Sequence, residues 1–166
     1  MENKPIKRSA EIMPLSREHH FSLLFSWKIL QGLKNGVALS RIVDYAAHFW
    51  ENNLRLHFEQ EEVVLFNRFP DDGLVRRALG EHRAMRELFE ALSKEKGAGQ
   101  DCRRQLEDLA QLIKSHVRME ERELFPVLEQ RLSGKALKQA AVVLHDMRDT
   151  PLNDDYADEF WNTKNE

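Results

Sequence analysis

Apolar residues recur at three- and four-residue spacing along most of the chain, and no stretch alternates like a strand. That period belongs to helices with one buried stripe, so the fold class expected is all-α. Pro14 and Ser16 open a first helix over about 16–33, with Ser16 as its cap and the Asn35-Gly36 turn as its stop. A long second helix spans about 38–68 and ends at Pro70 and Asp71-Asp72-Gly73. A third covers about 74–96, with Gly80 as a weak point, before the break at Gly97-Ala98-Gly99. The fourth runs over about 101–131, interrupted by Pro126, and Ser133-Gly134 sets off a short fifth over about 135–147. The expected organisation is an N-terminal arm over 1–14, a helical bundle over 15–131, and a short helix with an acidic tail over 132–166. Isolated Tyr156, Phe160 and Trp161 leave that tail two options: disorder, or docking of the aromatics on the bundle or on a second subunit.

One polar pattern interrupts the apolar stripes twice. Residues 57–66 and 116–125 both fit H-x-x-x-E-E-x-x-L-F. Residues four apart in a helix share a face, so His57 pairs with Glu61 and His116 with Glu120. A neutral imidazole beside a carboxylate is half of a transition-metal site, and two such pairs suggest two metals. The repeat extends upstream, where Glu18-His19-His20 precedes one long apolar stretch and Glu81-His82 precedes another. Each half reads Glu-His, helix, loop, helix with motif. This predicts one four-helix bundle built from two similar hairpins about a pseudo-twofold axis.

Helical phase sorts the candidates. Trp50, Leu54 and Leu65 share the face of His57 and Glu61; Leu109, Leu112, Ile113 and Met119 surround His116; Val75, Met85 and Phe89 are in phase with His82. These side chains therefore point inward, where an unpartnered charge costs on the order of several kcal/mol, a difficulty that bound cations remove. His48, nine residues before His57, is half a turn out of phase and is expected at the surface or rim. His145 lies beyond the repeat and has no assigned role. On the first helix, Leu23 and Trp27 favour His20 as the inward residue, whereas the Glu-His dipeptide aligns His19 with His82. His20 is the preferred candidate and His19 the alternative. Glu62 and Glu121 are a third of a turn off the ligand face and are expected in salt bridges or behind the ligands. Glu59 should face solvent, and Trp27, Trp50 and the Leu-Phe pairs should pack in the core.

Composition narrows the function. With 166 residues, 42% hydrophobic and 32% charged, one soluble helical domain is expected. A net charge of -3 gives no electrostatic case for nucleic acid. The single Cys102 cannot form an internal disulfide, so a reducing compartment fits, with the cytoplasm as the default. Lys4, Lys7 and Arg8 are not followed by an apolar run, so neither a signal peptide nor a membrane span is expected.

With these residues in hand, the chain resembles the hemerythrin-like HHE cation-binding domain over about 15–130. The shared motif is His, H-x-x-x-E, His, H-x-x-x-E in that order. The resemblance implies an up-down-up-down four-helix bundle and the ligands His20 (or His19), His57, Glu61, His82, His116 and Glu120. It also implies two irons, bridged by the two glutamates and an oxo or hydroxo group, with manganese or zinc as possible substitutes. The nitrogen and oxygen donor set, without thiolate, disfavours structural zinc and iron–sulfur clusters. Oxygen carriers of this type have a further histidine one turn after the third-helix histidine, where this chain has Arg86. That departure points away from reversible carriage and toward branches linked to iron, oxygen and nitric-oxide sensing and to repair of iron centres. The function expected is binding or sensing of oxygen, iron or redox state. The alternatives are an enzyme reducing peroxide or nitric oxide, and an iron store or donor. An enzyme would need a separate reductase, since no flavin or haem motif is present. An inward Arg86 would attract an anion such as peroxide. The expected ligand is a small diatomic molecule or peroxide. A homodimer is an open option.

Overall fold

The computed structural model describes residues 7–148 and 150–162; the first six residues of the expected arm (Lys4 among them), Asp149 and the last four residues of the tail lie outside the described residues. The described residues form a helical bundle: α1 (Met13–Lys34), α2 (Leu39–Phe49), α3 (Arg55–Val64), α4 (Gly73–Glu95), α5 (Cys102–Met119), α6 (Phe125–Arg131) and α7 (Gly134–Met147). The π turn Trp50–Leu54 joins α2 to α3, and the π turn Glu120–Leu124 joins α5 to α6. In these turns the backbone bonds reach one residue further than in an α-helix, from Arg55 N–H to the Trp50 carbonyl and from Phe125 N–H to the Glu120 carbonyl. Pro126 therefore does not end the fourth helical stretch. It sits in the first turn of α6, where a missing backbone donor costs little.

Local chemistry explains the starts of α4 and α7 and the stop of α4. The Asp72 carboxylate accepts the N–H groups of Leu74 and Val75 to start α4, and the Ser133 hydroxyl accepts that of Ala136 to start α7. α4 stops at Lys96, with φ 51°, followed by Gly97 at φ 85°. A Cβ on Gly97 would stand 2.9 Å from the Ser40 backbone, so this turn needs glycine twice over, for conformation and for space. The start of α1 differs from the sequence expectation. The helix begins at Met13 after Ile12, and Ser16 is not its cap. Ile12 is fully buried, so packing rather than capping sets this end, while the Ser16 hydroxyl accepts from Arg8 Nε at 3.1 Å.

The apolar core is split in two. One cluster gathers Phe25, Phe49, Phe58, Phe89 and Leu106; the other gathers Val64, Phe66, Val75, Phe125 and Leu144. The polar motif residues lie between them. Phe58 of the first cluster stacks on His82 at 3.9 Å between ring centroids, while Phe66 and Phe125 of the second lie against His82 and His19. α7 packs on α3 and closes the second cluster with Ala140 and Leu144.

The tail docks on its own bundle. Phe160 is fully buried over Gly32, where a Cβ would come within 2.7 Å of the ring. Asp154 accepts from Lys28 Nζ at 2.5 Å and from the Tyr45 hydroxyl at 3.0 Å, and Lys28 lies 3.9 Å over the Trp161 ring. The buried ammonium is thus satisfied by a carboxylate and an aromatic face. Arg41 grips Asp158 with two hydrogen bonds. No helix among the described residues is long and apolar enough to cross a membrane.

Candidate metal centre

Four histidines and two glutamates converge where the two clusters part: His19 from α1, His57 and Glu61 from α3, His82 from α4, His116 from α5, and Glu120 from the π turn. All six are buried, Glu61, Glu120 and His82 completely. The Nε2 atoms face inward. His19 Nε2 lies 3.1 Å from Glu61 Oε1 and 3.0 Å from Glu120 Oε2, and His57 Nε2 also contacts Glu61 Oε1. On the other side, His82 Nε2 lies 3.1 Å from Glu61 Oε2 and 3.6 Å from Glu120 Oε1, and His116 Nε2 lies 2.5 Å from Glu120 Oε1. Each glutamate thus turns one oxygen toward the His19–His57 pair and the other toward the His82–His116 pair. The result is two positions, each with two imidazole nitrogens and one oxygen from each carboxylate. In each, the donor atoms lie within 4.8 Å of one another.

This donor set fits divalent transition metals. Glu61 Oε2 and both Glu120 oxygens are fully buried without a hydrogen bond, and the Nε2 atoms of His82 and His116 face each other at 3.1 Å. Buried carboxylate oxygens without donors are costly in a protein interior unless a cation meets them. Without a metal, protons have to do so. Burial opposes the charged form of His57 and His82, yet the surrounding glutamates win and raise them to about 9 and about 10. His19 and His116 are raised against burial for the same reason. Burial and the neighbouring Glu61 push Glu120 up, but His116 and His19 outweigh them and hold it at about 2.

A second ring of carboxylates meets the outer face of the histidines. Glu121 lies 2.7 Å from His19 Nδ1, Glu18 3.0 Å from His57 Nδ1, and Glu81 3.1 Å from His116 Nδ1, whereas Glu62 stands 3.7 Å from His82 Nδ1. The pseudo-twofold relates these in pairs: Glu18 with Glu81, and Glu121 with Glu62. Each has an arginine beside it: Arg8 at Glu121, Arg148 at Glu18, Arg77 at Glu81 and Arg86 at Glu62. Glu62 and Glu121 were expected in this kind of place. Glu18 and Glu81 were not, although the signal was the Glu-His dipeptide itself. In each half the histidine turns inward while the glutamate before it reaches the other histidine of the same pair.

The structure gathers five of the six preferred candidates, His57, Glu61, His82, His116 and Glu120, and leaves His20 out. His20 is exposed, and His19 takes the place in the cluster. The phase markers misled. Leu23 and Trp27 are 38% and 51% exposed, while Ser22 and Ser26 are buried. α1 packs against α5, and its buried face carries Ser22 and Ser26 beside Leu15, Phe25, Ile29 and Leu33, which puts His19 on the inner side and His20 outside. Trp27 accordingly is not a core residue. His48 is exposed and next to Asn52, as expected, though the π turn between it and His57 adds a residue to the register behind that reading. Arg86 does not point inward, because it holds Glu62 with two hydrogen bonds of 3.0 and 2.7 Å.

The hemerythrin HHE cation-binding domain model matches residues 12–128, and the chain belongs to that family. Comparisons with curated proteins and with solved structures gave no match.

Proposed function

We propose that this protein is a hemerythrin-like non-haem di-iron protein with an up-down-up-down bundle, which binds or senses oxygen, iron or redox state at a carboxylate-bridged dimetal site. The observation that carries this reading is the division of Glu61 and Glu120, each of which turns one oxygen to one histidine pair and the second oxygen to the other. The residues that would hold the metals are His19, His57, His82, His116, Glu61 and Glu120. Two irons there supply one-electron redox change and coordination sites for a small molecule. The chain's own residues supply fixed nitrogen and oxygen donors, apolar walls from Phe58, Phe66 and Phe125 that limit water, and outer carboxylates that orient the imidazoles. A cavity of about 360 Å3 has in its wall Gln60 and Glu18, the carboxylate that meets His57 Nδ1. The family's carriers have a fifth histidine where Arg86 stands here, and the other histidines, His20, His48 and His145, are exposed. That favours sensing or one-way redox chemistry over reversible carriage.

The test is anaerobic loading with ferrous iron, followed by Mössbauer spectroscopy before and after one exposure to oxygen. A coupled pair of ferric ions supports the reading, and isolated mononuclear signals overturn it. Turnover of peroxide with a reductant would move the assignment from sensor to enzyme.

A further inference from the structure

The outer carboxylates are not equivalent, and the difference falls on one position. Resting on the di-metal reading, we propose that Glu18, Glu81 and Glu121 are positioning residues that fix their histidines for tight metal binding, and that Arg86 withholds the fourth, Glu62, making the His82–His116 position the weaker of the two.

The pseudo-twofold provides the comparison. Glu121 and Glu62 occupy the same place in the two motifs, and each side chain is 21% exposed. Glu121 lies 2.7 Å from His19 Nδ1, within hydrogen-bond reach. Glu62 lies 3.7 Å from His82 Nδ1, which is buried with no hydrogen-bond partner. The arginines account for the difference. Arg8 divides itself among Glu121, Glu129 and Ser16, and leaves one Glu121 oxygen for His19. Arg86 engages both Glu62 oxygens in a fork. A carboxylate on Nδ1–H pins the tautomer that presents the Nε2 lone pair and raises the basicity of that nitrogen. His19, His57 and His116 have this support and His82 lacks it. His82 is held instead by the stacked Phe58 ring, which fixes its plane and adds no basicity.

The experiment is stepwise zinc binding to the full chain, measured by chelator competition, for wild type, Glu121→Gln, Glu62→Gln and Arg86→Gln. Wild type is expected to bind two zinc ions with unequal affinity. Glu121→Gln should weaken the tighter step by about 10–100-fold, while Glu62→Gln should leave both within a factor of about two. Arg86→Gln should tighten the weaker step, because Glu62 is then free to close on His82. A merely structural role for Arg86 predicts no gain. Nitrogen NMR of the zinc-loaded protein should show slowly exchanging Nδ1–H signals for three histidines in wild type and four in Arg86→Gln. If Glu121→Gln does not fold, the Arg86→Gln result decides alone. Equal losses in Glu62→Gln and Glu121→Gln, or no tightening in Arg86→Gln, overturn the inference while the di-metal reading stands. Fewer than two zinc ions on the wild type overturns both.

Discussion

Replacing His19 by alanine separates a central residue from its neighbour in sequence, His20. His19 touches three carboxylates, Glu121 at 2.7 Å, Glu120 at 3.0 Å and Glu61 at 3.1 Å, and is buried. In the metal-free protein below pH 6.5 its ring is charged, since the three glutamates raise its pKa against burial. Removing one partner of a buried ion pair costs about 3–5 kcal/mol. For a domain of this size, each kcal/mol shifts Tm by about 2–4 °C, so His19→Ala should melt about 6–20 °C lower. His20→Ala changes an exposed side chain and should stay within about 0.5 kcal/mol of wild type. The assay is calorimetry at pH 6 in chelator, repeated after ferrous loading. With metal, His19→Ala should also lose the stabilisation from one of two positions, and His20→Ala should keep both. A His20→Ala protein that melts as low as His19→Ala, or loses as much iron, would refute the placement of α1.

Glu61→Ala or Glu120→Ala should lose both metals, because each carboxylate faces both histidine pairs; retention of one full equivalent would make that glutamate a ligand to one metal only. His48→Ala should leave metal content unchanged, which elemental analysis checks. The metal-free protein should be most stable between about pH 4.5 and 6.5. His57 and His82, raised from 6.5 to about 9 and about 10, contribute stability that is complete below 6.5 and lost as pH rises through those values. Glu62 and Glu121, lowered from 4.5 to about 2, contribute above 4.5 and lose it as pH falls toward 2. Metals displace those histidine protons, so the gain in Tm on loading should be larger at pH 8.5 than at pH 6; the reverse order would contradict the proton–metal exchange. Reduced iron-loaded protein should turn ferric on first exposure to oxygen and stay so on degassing, and recovery of the reduced absorption spectrum over several cycles would restore oxygen carriage.

Much of this architecture could be read from spacing alone, for physical reasons that also mark where the reading stopped. His57, Glu61, His82 and His116 lie on stripes dense in large apolar residues, so a constant helical period placed them inward. α1 broke that rule. Its buried face mixes Ser22 and Ser26, which hydropathy ranks as polar, with Phe25 and Ile29, while Leu23 and Trp27 remain exposed. The Glu-His repeat carried the right alignment there, because it reflects the pseudo-twofold rather than the polarity of one helix. The π turns were not legible, since a single added residue leaves composition unchanged and only shifts phase. Nor was the docking of the tail on its own bundle settled in advance, because Lys28, Asp154 and Gly32 gain meaning only together.

If Glu61 and Glu120 are shared between two metals, the number of irons held per chain after anaerobic ferrous loading must show it. The protein would be desalted and its iron and protein measured on the same sample. About two irons per chain are expected, bound by the six converging residues. A value well below one iron per chain, in protein with an intact helical fold, would contradict it.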